Sequence, residues 1–175
     1  MTTSRPEQRT PAVFFDRDGT LMPDVNYCWK PEDVHVFGDA GEALRQLKDA
    51  GYKIIVITNQ SGIGRGYFSE AAYRDVEREV ERQLGPGLIN ATYFCPDLPD
   101  SGSTRRKPAP GMIHEAERDH QIDLARSFFV GDKAIDAECG RNAGVRTVLL
   151  NSSGVADWTA SNLTEVAAVI LANGR

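Results

Sequence analysis

The sequence has little cysteine, no long apolar run and no excess of basic residues. Its 175 residues contain three widely spaced cysteines, Cys28, Cys95 and Cys139, and no CxxC pair. This usage excludes a disulfide-built scaffold. No apolar run approaches the ~20 residues of a membrane span, and the start MTTSRPEQRT lacks the apolar stretch of a secretory signal. We therefore expect a cytoplasmic protein without a membrane partner.

The charge balance is acidic. Twenty Lys and Arg residues stand against 25 Asp and Glu residues, which gives a formal net charge of -5. A general nucleic-acid binder needs a clear basic excess, so we expect no nucleic-acid partner. The hydrophobic fraction of 41% is enough for one sizeable core. We expect residues 1–11 to form a flexible lead-in and residues 12–175 to form a single domain.

Short apolar runs alternate with helical patterns along the chain. Runs at 12–15, 53–58, 91–94, 127–132 and 146–150 have the character of buried strands. Helical spacing follows at about 40–50, 69–84, 110–120, 134–142 and 161–172. This alternation predicts an α/β fold with a mostly parallel sheet and helices on both faces. Ligands of such sheets bind beyond the carboxyl ends of the strands.

Acidic residues follow the first and fourth predicted strands. Asp16 and Asp18 stand two positions apart in DRDGT, and carboxylates at this spacing point to the same side of an extended segment. Asp132 and Asp136 follow the fourth strand. Asp16, Asp18 and Asp132 form an all-oxygen set that suits Mg²⁺. Asp136 is either a further member of this set or an ordinary partner of the helix dipole.

Groups that bind phosphate follow the second and third strands. Thr58-Asn59-Gln60-Ser61-Gly62 offers hydroxyl, amide and backbone N–H donors that can cradle a phosphoryl group. Arg106 and Lys107 lie in RRKP, where an ammonium can neutralise one phosphate and a guanidinium can grip a second. Together the four segments predict a Mg²⁺-dependent phosphoryl-transfer site.

Four motifs resemble those of the haloacid dehalogenase superfamily of phosphohydrolases. They are DRDGTL, TNQSGIGRGYF, RKPAPGM and VGDKAIDAECGRNAG, and the similarity runs from about residue 12 to about residue 171. Within that superfamily the sequence is most similar to the D-glycero-D-manno-heptose 1,7-bisphosphate phosphatases and the histidinol-phosphatases. The resemblance implies a Rossmann-like three-layer α/β/α sandwich. About 40 residues separate the first two motifs, which implies a capless enzyme with a short flap.

The resemblance also implies roles for individual residues. Asp16 would be the nucleophile that forms an aspartyl-phosphate, and Asp18 the general acid and base. Thr58 and Lys107 would hold the phosphoryl oxygens. Mg²⁺ would be bound by Asp16, by Asp132 and by the backbone carbonyl of Asp18. The implied substrate contacts are Asp24, Val25, Asn26, Tyr27, Asn59, Gln60, Ser61, Arg106 and Lys133.

One segment departs from the family pattern. Relatives have a zinc-binding loop before RKPxPGM, built from Cys, His and two further Cys. Here Cys95 is present, Asp97 replaces the His, and no other Cys or His lies between residues 96 and 113. Structural zinc needs four donors, usually Cys or His, so we expect no structural zinc.

Four functions remain open from the sequence. The leading hypothesis is a monomeric Mg²⁺-dependent phosphatase that removes the C7 phosphate of D-glycero-D-manno-heptose 1,7-bisphosphate. Histidinol phosphate or another small phosphorylated substrate is the nearest alternative, and acidic residues near the flap such as Asp24, Glu32 and Asp33 would then meet its amine. A polynucleotide 3′-phosphatase is disfavoured by the acidic charge. A phosphate-binding regulatory protein is the non-enzymatic alternative.

Overall fold

The computed structural model describes residues 8–174 and contains a sheet of six parallel strands. The strand order across the sheet is β3-β2-β1-β4-β5-β6. Every neighbouring pair of strands is parallel. The strands are β1 (Ala12–Phe15), β2 (Lys53–Asn59), β3 (Ala91–Cys95), β4 (Phe128–Gly131), β5 (Arg146–Leu150) and β6 (Trp158–Ala160).

Helices cover both faces of the sheet. They are α1 (Ala40–Asp49), the short α2 (Ser61–Gly64), α3 (Glu70–Leu84), α4 (Gly111–His120), α5 (Ala134–Ala143) and α6 (Leu163–Asn173). Buried residues of α1, α3 and α6 pack on one face, and those of α4 and α5 pack on the other. Among these helices of residues 8–174, none is long and apolar enough to span a membrane. The fold is the predicted three-layer α/β/α sandwich.

The side chains of β1 pack into two hydrophobic cores, one on each face of the sheet. Val13 and Phe15 are fully buried in the core beneath α1, α3 and α6. Ala12 and Phe14 are fully buried in the core beneath α4 and α5. Successive strand residues point to opposite faces, so a strand covered on both sides is apolar throughout. The continuous run AVFF therefore marks a central strand.

The register of the central strands places the carboxyl ends of β1 and β4 within one residue of each other, and β2 extends three residues further. Phe15 of β1 is paired with Val56 of β2 and with Val130 of β4. The residues that follow these positions are therefore neighbours at one edge of the sheet. Asp16 and Asp132, which are far apart in sequence, meet there.

The predicted elements are present with bounds shifted by a few residues. Four short elements were not predicted, namely β6, α2 and two 3₁₀ turns, Pro31–Asp33 and Leu124–Arg126. The strand β6 has three residues and pairs only with β5. The helix α2 has four residues, two of them glycine. Of the predicted lead-in, residues 1–7 lie outside the described residues. Arg9 forms an ion pair with Glu117, and the backbone N–H of Thr10 donates to the carbonyl of Gln121.

Candidate active site

An open cleft lies at the carboxyl ends of the strands. Its volume is about 230 Å³, and its walls are strongly polar. This is where a parallel α/β sheet binds its ligands. The lining residues come from the ends of β1 and β2, from the segment 24–27, from the start of α2, from the segment before α4 and from the start of α5; they are Asp16, Asp18, Asp24, Asn26, Tyr27, Asn59, Gln60, Ser61, Arg106, Lys107, Lys133, Ile135 and Asp136.

A buried lysine between two aspartates forms the floor of the cleft. Lys107 Nζ donates to Asp16 Oδ1 at 2.7 Å and to Asp136 Oδ1 at 2.8 Å. The Lys107 side chain is 2% exposed, and those of Asp16 and Asp136 are 9% and 1% exposed. A buried charge is tolerated only when it is paired, so the three side chains depend on one another.

Asp136 also organises the start of α5. Its Oδ2 accepts hydrogen bonds from the backbone N–H groups of Asp132, at 3.2 Å, and Lys133, at 3.1 Å. Lys133 is the N-cap residue of α5, so its N–H is one of the groups that a helix start leaves without an intrahelical partner. Asp136 thus acts at the helix terminus and as the second carboxylate of Lys107. Gly131 allows this close approach, because a Cβ there would lie 2.2 Å from the Asp136 Cβ.

Carboxylates of Asp16, Asp132 and Asp136 lie close enough together to hold a metal ion. One oxygen of each lies within 4.8 Å of the others, and this is the metal-ligating cluster found among residues 8–174. The Asp136 oxygens are already used by Lys107 and by two backbone N–H groups. Asp16 and Asp132 therefore have the better access to a cation. Hard carboxylate oxygens fit Mg²⁺, so the donor set suits the predicted ion.

The ionisation of the cluster reflects burial and crowding of negative charge. Burial raises the pKa of Asp16 to about 8, with Asp136 adding to the rise and Lys107 opposing it. Burial and the charge of Asp136 also raise the pKa of Asp132. Burial alone would lower the pKa of Lys107, but the two aspartates outweigh it and raise that pKa. A divalent cation would relieve the repulsion between the carboxylates.

The amides that follow β2 hold other groups of the site. Asn59 Nδ2 donates to the Lys107 carbonyl at 3.1 Å, and the Lys107 N–H donates to Asn59 Oδ1 at 3.0 Å. Gln60 Nε2 donates to Asp18 Oδ2 at 3.0 Å and to Thr58 Oγ1 at 2.8 Å. Both N–H groups of Gln60 are therefore used inside the protein. Its predicted substrate contact stays a prediction, with Oε1 as the remaining polar atom.

The flap, residues 23–30, closes one side of the cleft. Lys133 Nζ donates to Asp24 Oδ2 at 3.0 Å and so ties the flap to the start of α5. Burial opposes the ionisation of Asp24, but the hydrogen bonds from Lys133 and from the Asn26 N–H, together with the nearby positive charges, outweigh it and lower the Asp24 pKa. Asn26 and Tyr27 have positive φ values of 54° and 66°. The Tyr27 ring packs edge-on against Tyr67, with the centroids 5.0 Å apart.

The segment before α4 carries Arg106 to the mouth of the cleft. Arg106 Nη1 donates to the Asp97 carbonyl at 3.0 Å. Cys95 Sγ lies 3.4 Å from Asp97 Oδ2 and 3.7 Å from Ser103 Oγ. One thiol, one carboxylate and one hydroxyl are a poor donor set for structural zinc. The absence of structural zinc stays a prediction.

The structure brings most of the predicted site residues to one cleft. Eleven of them line it. Thr58 is buried behind Gln60, Val25 is 45% exposed on the flap outside the lining, and Asp132 lies beside Asp16 in the carboxylate cluster. The roles of these residues remain predictions. Ile135 and the pairing of Asp136 with Lys107 were not foreseen, although the position of Asp136 four residues after Asp132 was a usable signal.

The comparisons with known proteins agree with this site. The family model described as "Polynucleotide kinase 3 phosphatase" matches residues 11–164. A Thermoplasma acidophilum protein named "Probable D-glycero-D-manno-heptose-1,7-bisphosphate 7-phosphatase" is 42% identical over 144 residues, which are 81% of this chain and 90% of that protein. The D-glycero-beta-D-manno-heptose-1,7-bisphosphate 7-phosphatase of Haemophilus ducreyi is 39% identical over 154 residues, covering 83% and 85% of the two chains.

Solved structures lead to the same family. The D,D-heptose 1,7-bisphosphate phosphatase of B. bronchiseptica, crystallised with magnesium and phosphate, superimposes with a TM-score of 0.84 at 27% sequence identity. The match covers 93% of this chain and 99% of that one. The family model, the relatives and the fold agree, and the chain belongs to the haloacid dehalogenase superfamily of phosphatases.

Proposed function

We propose that this protein is a Mg²⁺-dependent phosphatase that removes the C7 phosphate of D-glycero-D-manno-heptose 1,7-bisphosphate through an aspartyl-phosphate. The observation that carries the proposal is the contact of the Lys107 ammonium with Asp16, on the floor of a polar cleft. A carboxylate, a second carboxylate two residues later and a buried ammonium are the groups that phosphoryl transfer to an aspartate requires.

Two displacement steps at phosphorus make up the proposed reaction. In the first, an Asp16 oxygen forms a bond to phosphorus while the bond between phosphorus and the sugar oxygen breaks. Asp18 gives its proton to that leaving oxygen. In the second, Asp18 takes a proton from water, the water oxygen bonds to phosphorus, and the bond to Asp16 breaks. Inorganic phosphate and the dephosphorylated sugar are the products.

The groups around Asp16 would stabilise the negative charge of the phosphoryl oxygens. The Lys107 ammonium would bind the phosphoryl oxygens and offset their charge in the transition state. Asp16, Asp132 and the Asp18 carbonyl would hold Mg²⁺, which supplies further positive charge at the phosphoryl oxygens when it is bound. The hydroxyl of Thr58 keeps its own hydrogen for donation, since its oxygen accepts from Gln60.

The cations of the cleft support a substrate with two phosphates. Lys107 is in contact with Asp16 and Asp136, and Lys133 is paired with Asp24. Within residues 8–174, Arg106 has no carboxylate in ion-pair contact. Its guanidinium is therefore available to a second phosphate at the mouth of the cleft. The relatives named for heptose bisphosphate supply the identity of the sugar.

The acidic groups give less support to histidinol phosphate. An amine would require an acid without a cationic partner, yet Asp24 is bound to Lys133 and Asp18 is bound to Arg17. Among the described residues that line the cleft, Glu32 and Asp33 are absent. The bisphosphate is thus the better match to the charges of the site.

The proposal includes a monomer that acts in the cytoplasm on a small sugar phosphate, without nucleic acid or membrane as partner. The formal charge of -5 disfavours a polyanionic partner. Light scattering coupled to size-exclusion chromatography tests the monomer, which should give a mass near 19.2 kDa.

Phosphate release with Mg²⁺ tests the substrate. The substrates are both anomers of heptose 1,7-bisphosphate, histidinol phosphate and a 3′-phosphorylated oligonucleotide, with the Asp16→Asn variant as control. We expect the highest kcat/KM for one heptose anomer and no release by the variant. A higher kcat/KM for histidinol phosphate or for the oligonucleotide would replace the proposed substrate. Phosphate binding without turnover of any substrate would support the regulatory alternative.

A further inference from the structure

Arg17 is a buried cation that stands directly behind the cleft. It lies between Asp16 and Asp18, and only 2% of the residue is exposed. Arginine is almost never fully buried unless it is paired. Arg17 does not line the cleft, whereas Asp18 does. Any role in the reaction must therefore pass through another residue.

The guanidinium of Arg17 holds both oxygens of the Asp18 carboxylate. Arg17 Nε and Nη2 donate to Asp18 Oδ1 at 3.2 and 3.1 Å, and Nη2 also donates to Oδ2 at 3.0 Å. Gln60 Nε2 donates to Oδ2 from a different element. A planar guanidinium fixes a carboxylate in orientation as well as in position. The rotation of the Asp18 side chain is therefore set by Arg17 and Gln60.

The Arg17 guanidinium has fewer hydrogen bonds on the side that faces away from Asp18. Arg17 Nη1 and the Tyr73 hydroxyl are both buried without a hydrogen-bond partner in the described part of the chain. Both residues line a small pocket of about 10 Å³. The Tyr73 ring, itself packed on Phe94, lies 5.7 Å from the guanidinium carbon. Burying a charge with an unpaired N–H costs stability. What the buried guanidinium provides in exchange is its contact with the Asp18 carboxylate.

We propose that Arg17 is a positioning residue that holds the Asp18 carboxyl where it gives a proton to the leaving oxygen and later takes one from water. This inference rests on the proposed phosphatase function, because it assigns a task only to the acid and base of that reaction. Arg17 itself touches neither the substrate nor the reacting atoms. Its loss should affect only those steps in which Asp18 moves a proton.

An aryl phosphate substrate distinguishes the first step of the reaction, departure of the leaving group, from the second, attack by water. Nitrophenolate is a good leaving group and departs without a proton, so the first step with 4-nitrophenyl phosphate does not depend on Asp18. The second step needs Asp18 as a base with every substrate. In Arg17→Met we expect a rapid burst of nitrophenolate at nearly the wild-type rate, followed by turnover slowed on the order of 100-fold. The sugar phosphate has a poor leaving group, so its first step should slow as well and no burst should form.

The control variant is Arg74→Met. The Arg74 guanidinium also lies over the Tyr73 ring, at 5.6 Å, and contacts Phe94, but it is paired with Glu77 and does not line the cleft. It should show wild-type kinetics with both substrates. Arg17→Lys keeps the charge and one contact, so it should recover part of the lost turnover. It also provides the test if Arg17→Met does not fold.

Three outcomes would overturn the proposal. The first is equal slowing of the burst and of the steady-state rate with 4-nitrophenyl phosphate in Arg17→Met. The second is a wild-type turnover rate in Arg17→Met. The third is an Arg17→Lys variant whose turnover is no faster than that of Arg17→Met. If Arg17→Met fails to fold, Arg17→Lys takes its place. We then expect a nitrophenolate burst followed by turnover that is slowed less strongly. Equal slowing of the burst and of the steady-state rate in Arg17→Lys would overturn the proposal. A wild-type protein that releases no phosphate from any substrate would instead contradict the proposed function.

Discussion

The Lys107 ammonium lies 2.7 Å from Asp16 Oδ1, and both side chains are more than nine-tenths buried. Asp16 follows β1 and Lys107 lies between β3 and α4, 91 positions apart in sequence. Their contact joins the predicted nucleophile to the cation that would offset phosphate charge. It also makes the stability of the protein depend on its active site, because loss of the Lys107 charge would leave Asp16 and Asp136 buried without a cation.

Replacing Lys107 by methionine should destabilise the fold and abolish turnover. The change leaves Asp16 and Asp136 buried beside each other without a cation. We expect the free energy of unfolding, measured by urea denaturation, to fall by about 3–5 kcal/mol. The control Lys48→Met removes a partly exposed lysine that hydrogen-bonds Gly87 and Asn90, and it should cost less than about 1 kcal/mol. A fall of less than about 1 kcal/mol in the free energy of unfolding of Lys107→Met would contradict the dependence of Asp16 and Asp136 on Lys107.

Mg²⁺ binding should release a proton near neutral pH. In the metal-free protein burial raises the pKa of Asp16 from 3.8 to about 8, so the folded state holds a proton there that the unfolded state has lost. The stability from this proton is fully present below pH 3.8 and is lost as the pH rises through about 8. A cation at Asp16 must displace the proton. Mg²⁺ affinity should therefore rise about 10-fold per pH unit between pH 6 and pH 7 and level off above about 8.

Calorimetric titration of MgCl₂ in two buffers with different ionisation heats measures this release. We expect close to one proton per Mg²⁺ at pH 7 and much less at pH 9. The variant Asp16→Asn has no proton to lose at this position and should show none. Mg²⁺ binding with no proton release at pH 7 would show that Asp16 is already ionised in the metal-free protein.

Gly19→Ala should weaken Mg²⁺ binding more than a comparable glycine substitution elsewhere. Gly19 has a φ of +84°, and a Cβ there would lie 2.2 Å from Asp132 Oδ2. Gly51 has a φ of +96° and would place a Cβ in open space. Both changes should cost about 1–2 kcal/mol of backbone strain. Only Gly19→Ala displaces Asp132, so only this variant should need more Mg²⁺ for half-maximal activity; an unchanged Mg²⁺ requirement would remove Asp132 from the metal site.

Arg106→Gln should impair binding of a bisphosphate selectively. Loss of a charge-assisted contact to a second phosphate should raise KM for heptose bisphosphate about 10- to 100-fold. The KM for 4-nitrophenyl phosphate, which has one phosphate, should change little. The neighbouring Arg105 is paired with Glu115 at 2.6 Å and does not line the cleft, so Arg105→Gln is the control. An equal rise of KM for both substrates in Arg106→Gln would argue against a second-phosphate contact.

The fold was predictable wherever a strand is buried on both faces. The run KIIVIT predicts β2 because each of its central residues is apolar and β-branched. The three-residue β6 escaped prediction because it lies at the sheet edge, where WTA mixes buried and exposed positions. The short α2 contains two glycines, whose low helix propensity predicts a loop. Its first turn is instead fixed by tertiary contact, since the Gln60 N–H donates to the Cys95 carbonyl.

The site was predictable in composition but not in its pairings. Strand ends rich in Asp, Asn and Lys indicate the residues that gather at the carboxyl edge. Strand order decides which of them touch, and a single sequence does not give that order. The position of β4 beside β1 brings Asp136 to Lys107 and Asp132 to Asp16. The bond from Gln60 to Asp18 likewise depends on a side-chain rotamer, which the pattern of residue types does not encode.

The most direct test of the account is the rate of Mg²⁺-dependent phosphate release by Asp16→Asn with heptose 1,7-bisphosphate as substrate. Asparagine is close to aspartate in shape, and a thermal unfolding curve confirms that the variant is folded. Because the carboxylate oxygen that would bond to phosphorus is missing, we expect a loss on the order of 10³-fold or more. A folded Asp16→Asn variant that keeps a rate near that of the wild type would contradict the assignment of Asp16 as the nucleophile.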